Sequence, residues 1–155
     1  HRRRLPPRDV LKAAHALASG DDAPDDPDEA SVLVTRILQG TDRPRTLEDA
    51  SRSGAALLVL ATSRTAMARL RPDTRFRVLA SYRDLLDLDA DSAGPFQDRC
   101  GMVPPTKGIH PDIRDAGLRI AFVLTDRLER ALQIGPDFDD VARRMLEEYE
   151  TEVAA

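Results

Sequence analysis

The side chains that could do chemistry in this chain are few, and most of them are arginines. Arg64, Arg69, Arg71, Arg75, Arg77 and Arg83 follow one another closely, four of them within nine residues around Pro72. Guanidinium groups converging at a helix–helix corner grip phosphate or carboxylate bidentately, and the first amides of the following helix would add positive potential. Arg64, Arg69, Arg71, Arg75 and Arg77 are therefore the candidate binding set, for an anion or an acidic protein partner. The cluster also has an internal use open to it. Acidic residues crowd Asp21, Asp22, Asp25, Asp26, Asp28 and Glu29, and return in Asp137, Asp139, Asp140, Glu147, Glu148, Glu150 and Glu152. Pairing with that acidic loop or tail competes with an outside partner, and both readings stand at this level.

Other constellations are weaker. Asp21-Asp22-Ala23-Pro24-Asp25 has the spacing of a magnesium-diphosphate string, but Pro24 and Pro27 place it in a loop, where the carboxylates are not fixed for an octahedral ion. No metal and no cofactor is expected. Arg8-Asp9-Val10-Leu11-Lys12-Ala13-Ala14-His15 resembles the Arg-x4-6-His motif of the HEPN family, small helical bundles that include metal-independent RNases. That resemblance covers eight residues and implies His15 as acid/base and Arg8 as stabiliser of a phosphorane-like transition state. An exposed helix face is the alternative for both. His110, just before Pro111, reads as a helix cap, and Cys100 as a plain free thiol in a loop.

Composition bounds what these residues can serve. The chain has 155 residues, 41% hydrophobic and 32% charged, with a net charge of −4, which are values for one globular domain. The negative charge, the near-absence of lysine (Lys12 and Lys107) and the 4% aromatic content disfavour a nucleic-acid surface without excluding it. A single cysteine forms no intramolecular disulfide and suits a reducing cytoplasm, and no uncharged run approaches the length of a membrane span. The chain opens on His1 rather than Met, leaving room for a domain upstream.

Helical periodicity runs the whole length. Pro7–Ser19 reads as a first helix, and residues 1–25 as a partly flexible basic-then-acidic segment. Asp26-Pro27-Asp28-Glu29 opens a second helix that carries Val32, Leu33, Ile37 and Leu38 and stops at Gly40. Thr46 caps a long helix to Arg71 whose middle, Gly54 to Ala61, is apolar all round and so demands cover on every side. A helix-turn-helix fit to that stretch fails because its turn would fall inside the apolar run. Phe76, Leu79, Tyr82 and Leu86 share a face of the next helix, read as its core face. Ala90–Gly108, rich in Gly and Pro, reads as a loop. Pro111 opens a second long helix carrying Ile113, Gly117, Ile120, Leu124, Leu128 and Ala131, with i,i+4 pairs Asp115–Arg119 and Asp126–Arg130. Phe138, Val141, Met145 and Tyr149 mark the last helix.

The expected architecture is an all-α single-domain bundle of five or six helices spanning 1–155, built on Thr46–Arg71 and His110–Ile134. The expected function is a non-catalytic interaction or regulatory module, or accessory subunit, that binds a protein partner through segregated Arg-rich and acidic surfaces; a homodimer is also open. Two alternatives are a HEPN-like RNase using Arg8 and His15, and the ligand-sensing domain of a transcriptional regulator with an apolar pocket between its long helices. The polar run Thr62-Ser63-Arg64-Thr65, where the buried helix meets the basic corner, is the first place to look for function.

Overall fold

A computed structural model describes residues 10–20 and 27–153, with the side chains of Pro27 and 151–153 excepted. Eight helices and no strand occur among the described residues: α1 (Val10–Ser19), α2 (Pro27–Asp42), α3 (Leu47–Thr62), α4 (Arg64–Ala68), α5 (Pro72–Leu86), α6 (Ala90–Cys100), α7 (Pro111–Leu132) and α8 (Phe138–Val153). The all-α bundle is thus as expected, but with more helices than five or six. The extra ones arise at two places. Thr46–Arg71 is not continuous: Ser63 takes extended backbone, ends α3, and accepts from the Ala66 amide at 3.1 Å to start the one-turn α4. The polar run Thr62–Thr65 is this break, and the Thr62 and Ser63 hydroxyls serve the backbone. Ala90–Gly108 is not all loop either. Asp89 caps α6 by accepting from the Ser92 amide at 2.8 Å, and the helix runs on past Pro95 in its interior; hydrogen bonds from the Ser92 side chain and then from its amide hold the Asp89 carboxyl below its ordinary range.

Capping follows the sequence elsewhere. Thr46 accepts from Asp49 N at 3.0 Å to begin α3, and Asp49 answers by accepting from Arg45 N. Pro72 and Pro111 occupy the first turns of α5 and α7, where a missing N–H costs nothing. His110 caps α7, its Nδ1 accepting from Asp112 N at 3.2 Å. Gln133 closes α7 in the left-handed region, φ 54°. The i,i+4 pairs Arg119–Asp115 and Arg130–Asp126 both close at 2.9 Å.

α3 sits at the centre, packed by α1, α2, α7 and α8, with α4 and α5 adding further cover. Every residue from Ser53 to Leu60 is buried. Small residues allow this enclosure. A Cβ on Gly54 would lie 2.6 Å from Met145 Sδ and 2.7 Å from Leu124 Cδ1, and one on Gly117 of α7 would lie 2.6 Å from Leu146 Cδ2. The junction of α3, α7 and α8 is therefore filled by side chains that interlock over two glycines. Leu124, Leu128, Ile120, Met145 and Val141 complete that core. At its edge, Phe96, Phe122 and Phe138 make two edge-to-face contacts, with centroids 5.7 and 5.8 Å apart. Arg119 lies over Phe96 and Arg99 over Phe138.

Two sequence expectations change. Gly40 does not stop α2, which continues to Asp42. It is glycine because α3 crosses there: a Cβ would stand 2.8 Å from Ser53 Cβ and nearer still to Ser53 Oγ. The second change concerns α5. Its buried residues are Thr74, Val78 and Leu85, whereas Phe76 is 72% and Leu79 44% exposed. Phe76 is two residues from both Thr74 and Val78 and so lies on the far side of the helix. Turning Phe76 inward would carry the charged Arg83, seven residues on and on the same face, into the core at a large desolvation cost.

The Gly40 crossing makes a prediction. Gly40→Ala should cost about 1–3 kcal/mol, the usual range for overpacking, against a gain of roughly 0.5–1 kcal/mol in helix propensity. Gly40→Ala combined with Ser53→Gly should cost less than the sum of the singles. Chemical denaturation of the four proteins measures the coupling, and strict additivity would show that the two helices do not touch there.

Candidate functional site

The arginines of the candidate set are not brought together on one anion. Arg69 donates to Gly20 O at 3.4 Å, Arg71 pairs with Asp28, and Arg77 donates to Thr35 Oγ1 at 3.0 Å. These three side chains stitch the α4–α5 corner to the end of α1 and to α2. Asp28 belongs to the acidic stretch identified in the sequence; Asp21, Asp22, Asp25 and Asp26 lie outside the described residues. Arg64 sits exposed at the start of α4 and makes no ion pair among the described residues. Arg75 is half-buried, and its Nε is shielded from solvent with no hydrogen-bond partner.

What the α5 corner does present is an outer face. Phe76 and Leu79 are one turn apart, and Arg83 continues the line toward the C-terminal end of the helix. An apolar ridge is thus left uncovered by the bundle on Phe76 and Leu79, while Tyr82 and Leu86 of the same expected core face do pack against the core. The sequence signal that separates the two readings is the charge on the Phe76 stripe: Arg83, and Asp87 one turn beyond it, share that face and are both exposed.

A second feature is an open cleft of about 1040 Å³ at the other end of α3. Val10, Gln39, Gly40 and Ser53 contribute to its wall, together with Arg36, Arg43, Arg45 and Arg52 and with Asp42, Glu48 and Asp49. The α2–α3 connection positions the two central arginines: Pro44 is buried, so Arg43 and Arg45 on either side are held outward, both exposed. Arg127 of α7 donates to Thr41 O and so ties down the end of α2 beneath them. Arg52 is committed, lying 3.2 Å from Glu48 and 3.6 Å from Glu148 of α8. The sequence reading passed over this cluster because its members come from two helices and a loop, with no run of charge to mark them.

Burial raises the Glu148 carboxyl above its ordinary range, against the pull of Arg52 and with Glu48 adding to the rise. Its Oε2 is shielded and accepts no hydrogen bond. Desolvation outweighs the ion pair here, so Glu148 is not a strong clamp between α3 and α8.

The remaining sequence candidates separate. Arg8 lies outside the described residues. His15 is not on an exposed face as expected; at 5% exposure it packs in the α1 side of the core, where an RNA phosphate has no access to it. Cys100 is a free thiol, but at the end of α6 rather than in a loop, packed against the core. Among the described residues no group of three His, Cys, Asp or Glu could hold a metal ion, and no helix is long and apolar enough to cross a membrane.

For Glu148 the sign of the pH dependence follows directly. A raised carboxyl favours the protonated form in the folded chain, so its contribution to stability is full below the ordinary glutamate range and is lost as pH climbs through the raised value. Glu148→Gln should therefore match the parent near about pH 4 and be equally or more stable near about pH 7. Thermal unfolding across that range checks it; a variant that falls below the parent only at neutral pH would show that the Arg52 pair dominates.

Against known protein families, curated proteins and solved structures, the chain finds no match.

Proposed function

We propose that this chain is a non-catalytic interaction module that docks an acidic protein partner on the outer face of α5. The observation that carries the reading is Phe76, a large aromatic side chain 72% exposed at the centre of an Arg-bordered helix face. Aromatic and arginine side chains are the residues most enriched where protein interfaces concentrate their energy. Phe76 and Leu79 supply the apolar anchor. Arg75 and Arg83 flank it, steering a carboxylate-rich surface into register. Arg69, Arg71 and Arg77 act one step back, holding the corner rigid so that the face is preformed and little order has to be imposed on binding.

An apolar-ligand sensor would need space between the long helices, and the interlocked contacts over Gly54 and Gly117 support the opposite, a packed scaffold. A nuclease reading would need His15 at a surface, and it is buried.

Affinity capture from the source cells tests the proposal. A partner held by the parent chain should bind at least about thirtyfold more weakly to Phe76→Ala, the loss typical of an interface hot spot. The double variant Arg75→Glu/Arg83→Glu should bind more weakly still at low salt, with the gap to the parent narrowing as salt rises. Phe76 is outside the core, so helicity and Tm should be unchanged in Phe76→Ala. Equal recovery of every partner by parent and variants would discard the α5 face.

A further inference from the structure

The cleft between the end of α2 and the start of α3 carries three guanidinium groups with little to neutralise them. Arg36 is the telling one. Its Nη1 is cut off from solvent and has no hydrogen-bond acceptor among the described residues, a state that costs a charged donor its hydration without replacing it; a ligand in the cleft meets this nitrogen only once the side chain turns outward. Arg43 meets only Asp42, at 3.9 Å with both side chains largely in water, and the Arg45 side chain makes no ion pair among the described residues. The three carboxylates of the cleft do not offset its four arginines: Glu48 pairs with Arg52, Asp42 lies 3.9 Å from Arg43, and Asp49 accepts from the Arg45 backbone amide.

We propose that this cleft binds the phosphate group of a small molecule, with Arg36 as the inner contact and Arg43 and Arg45 closing over it from the rim. A carboxylate carries one charge on two oxygens, too little to balance three guanidinium groups. A phosphate monoester carries close to two charges and three strong acceptor oxygens, so it can be shared among several arginines. Among the described residues the cleft wall holds no aromatic side chain, so recognition rests on the phosphate rather than on stacking of an attached ring. The cleft is larger than a phosphate ion, and its open side leaves room for the rest of the molecule. Gly40 and Ser53 form part of the same wall, so their close approach brings Arg36 and the α3 N-terminal turn to one site. None of these residues belongs to the α5 face, and the two proposals stand or fall separately.

The test uses the full chain and inorganic pyrophosphate as probe, with sodium chloride at matched ionic strength as control. Pyrophosphate should raise Tm beyond the chloride control, and amide resonance changes in an NMR titration should centre on residues 36–53. Arg36→Gln and Arg36→Lys should both weaken binding by at least about tenfold, because lysine keeps the charge but loses the fork. Arg83→Gln should bind as the parent does. Should an Arg36 variant unfold, Arg43→Gln/Arg45→Gln, whose side chains are exposed, gives the same comparison. No stabilisation beyond chloride, equal binding by the Arg36 or Arg43/Arg45 variants, or resonance changes centred outside the cleft would each overturn the proposal.

Discussion

A helix that has no polar face must be covered on every side, and the arrangement of this protein answers that one requirement. The backbone of α3 satisfies its own hydrogen bonds, so its middle can be buried whole, provided that enough other helices converge on it. Small residues in its first ten positions (Ala50, Ser51, Ser53, Gly54, Ala55 and Ala56) let those neighbours approach closely, and Leu57 to Leu60 fill the space beyond. Once α1, α2, α7 and α8 surround that segment, no surface of its middle turns is left for recognition. Polar chemistry is displaced to the two ends of α3 and to the outside of the helices that sheath it. The cleft lies at one end, and the break at Ser63 leading to the basic corner at the other.

Arginine does two different jobs around this core. Several reach across to backbone carbonyls that a helix end or loop leaves unsatisfied: Arg69 to Gly20, Arg114 to Val103, Arg119 to Leu86 and Arg127 to Thr41. A guanidinium suits this role because its fork can bond a carbonyl while its stem packs on apolar surface. The others, Arg36, Arg43, Arg45, Arg64, Arg75 and Arg83, have their charge weakly matched or unmatched within the described part of the chain. A bare count of arginines blends the two groups, which is why the densest sequence cluster turned out to be divided between them.

The sequence was legible where one local rule decides the outcome. Thr46, His110, Pro72 and Pro111 mark helix starts because capping depends on a few adjacent residues, and the α8 stripe Phe138, Val141, Met145 and Tyr149 is buried because only one of its faces is apolar. Reading failed where two rules compete. Gly40 looks like a helix stop by type, yet it answers a crossing helix thirteen residues ahead. On α5 both Val78 and Phe76 lie on plausible apolar stripes, and only the three-dimensional cost of burying Arg83 chooses between them. Pro95 argued against α6, yet the helix starts at the Asp89 cap and runs through it. The cleft was illegible for a plainer reason: its arginines meet only after α2 and α3 have packed.

α6 shows how unevenly that packing is shared. Of its eleven residues only Phe96 is buried, resting on Phe122 beneath the Arg119 guanidinium, and its sole substantial neighbour is α7. Such a segment opens at far lower free energy than the bundle as a whole, since little apolar surface has to be exposed to release it. Its other positions are also released from the packing rules that govern α3. In descendants of this sequence, substitutions and insertions should accumulate along α6 while Phe96 stays aromatic, making the helix the part of the bundle freest to acquire a new role.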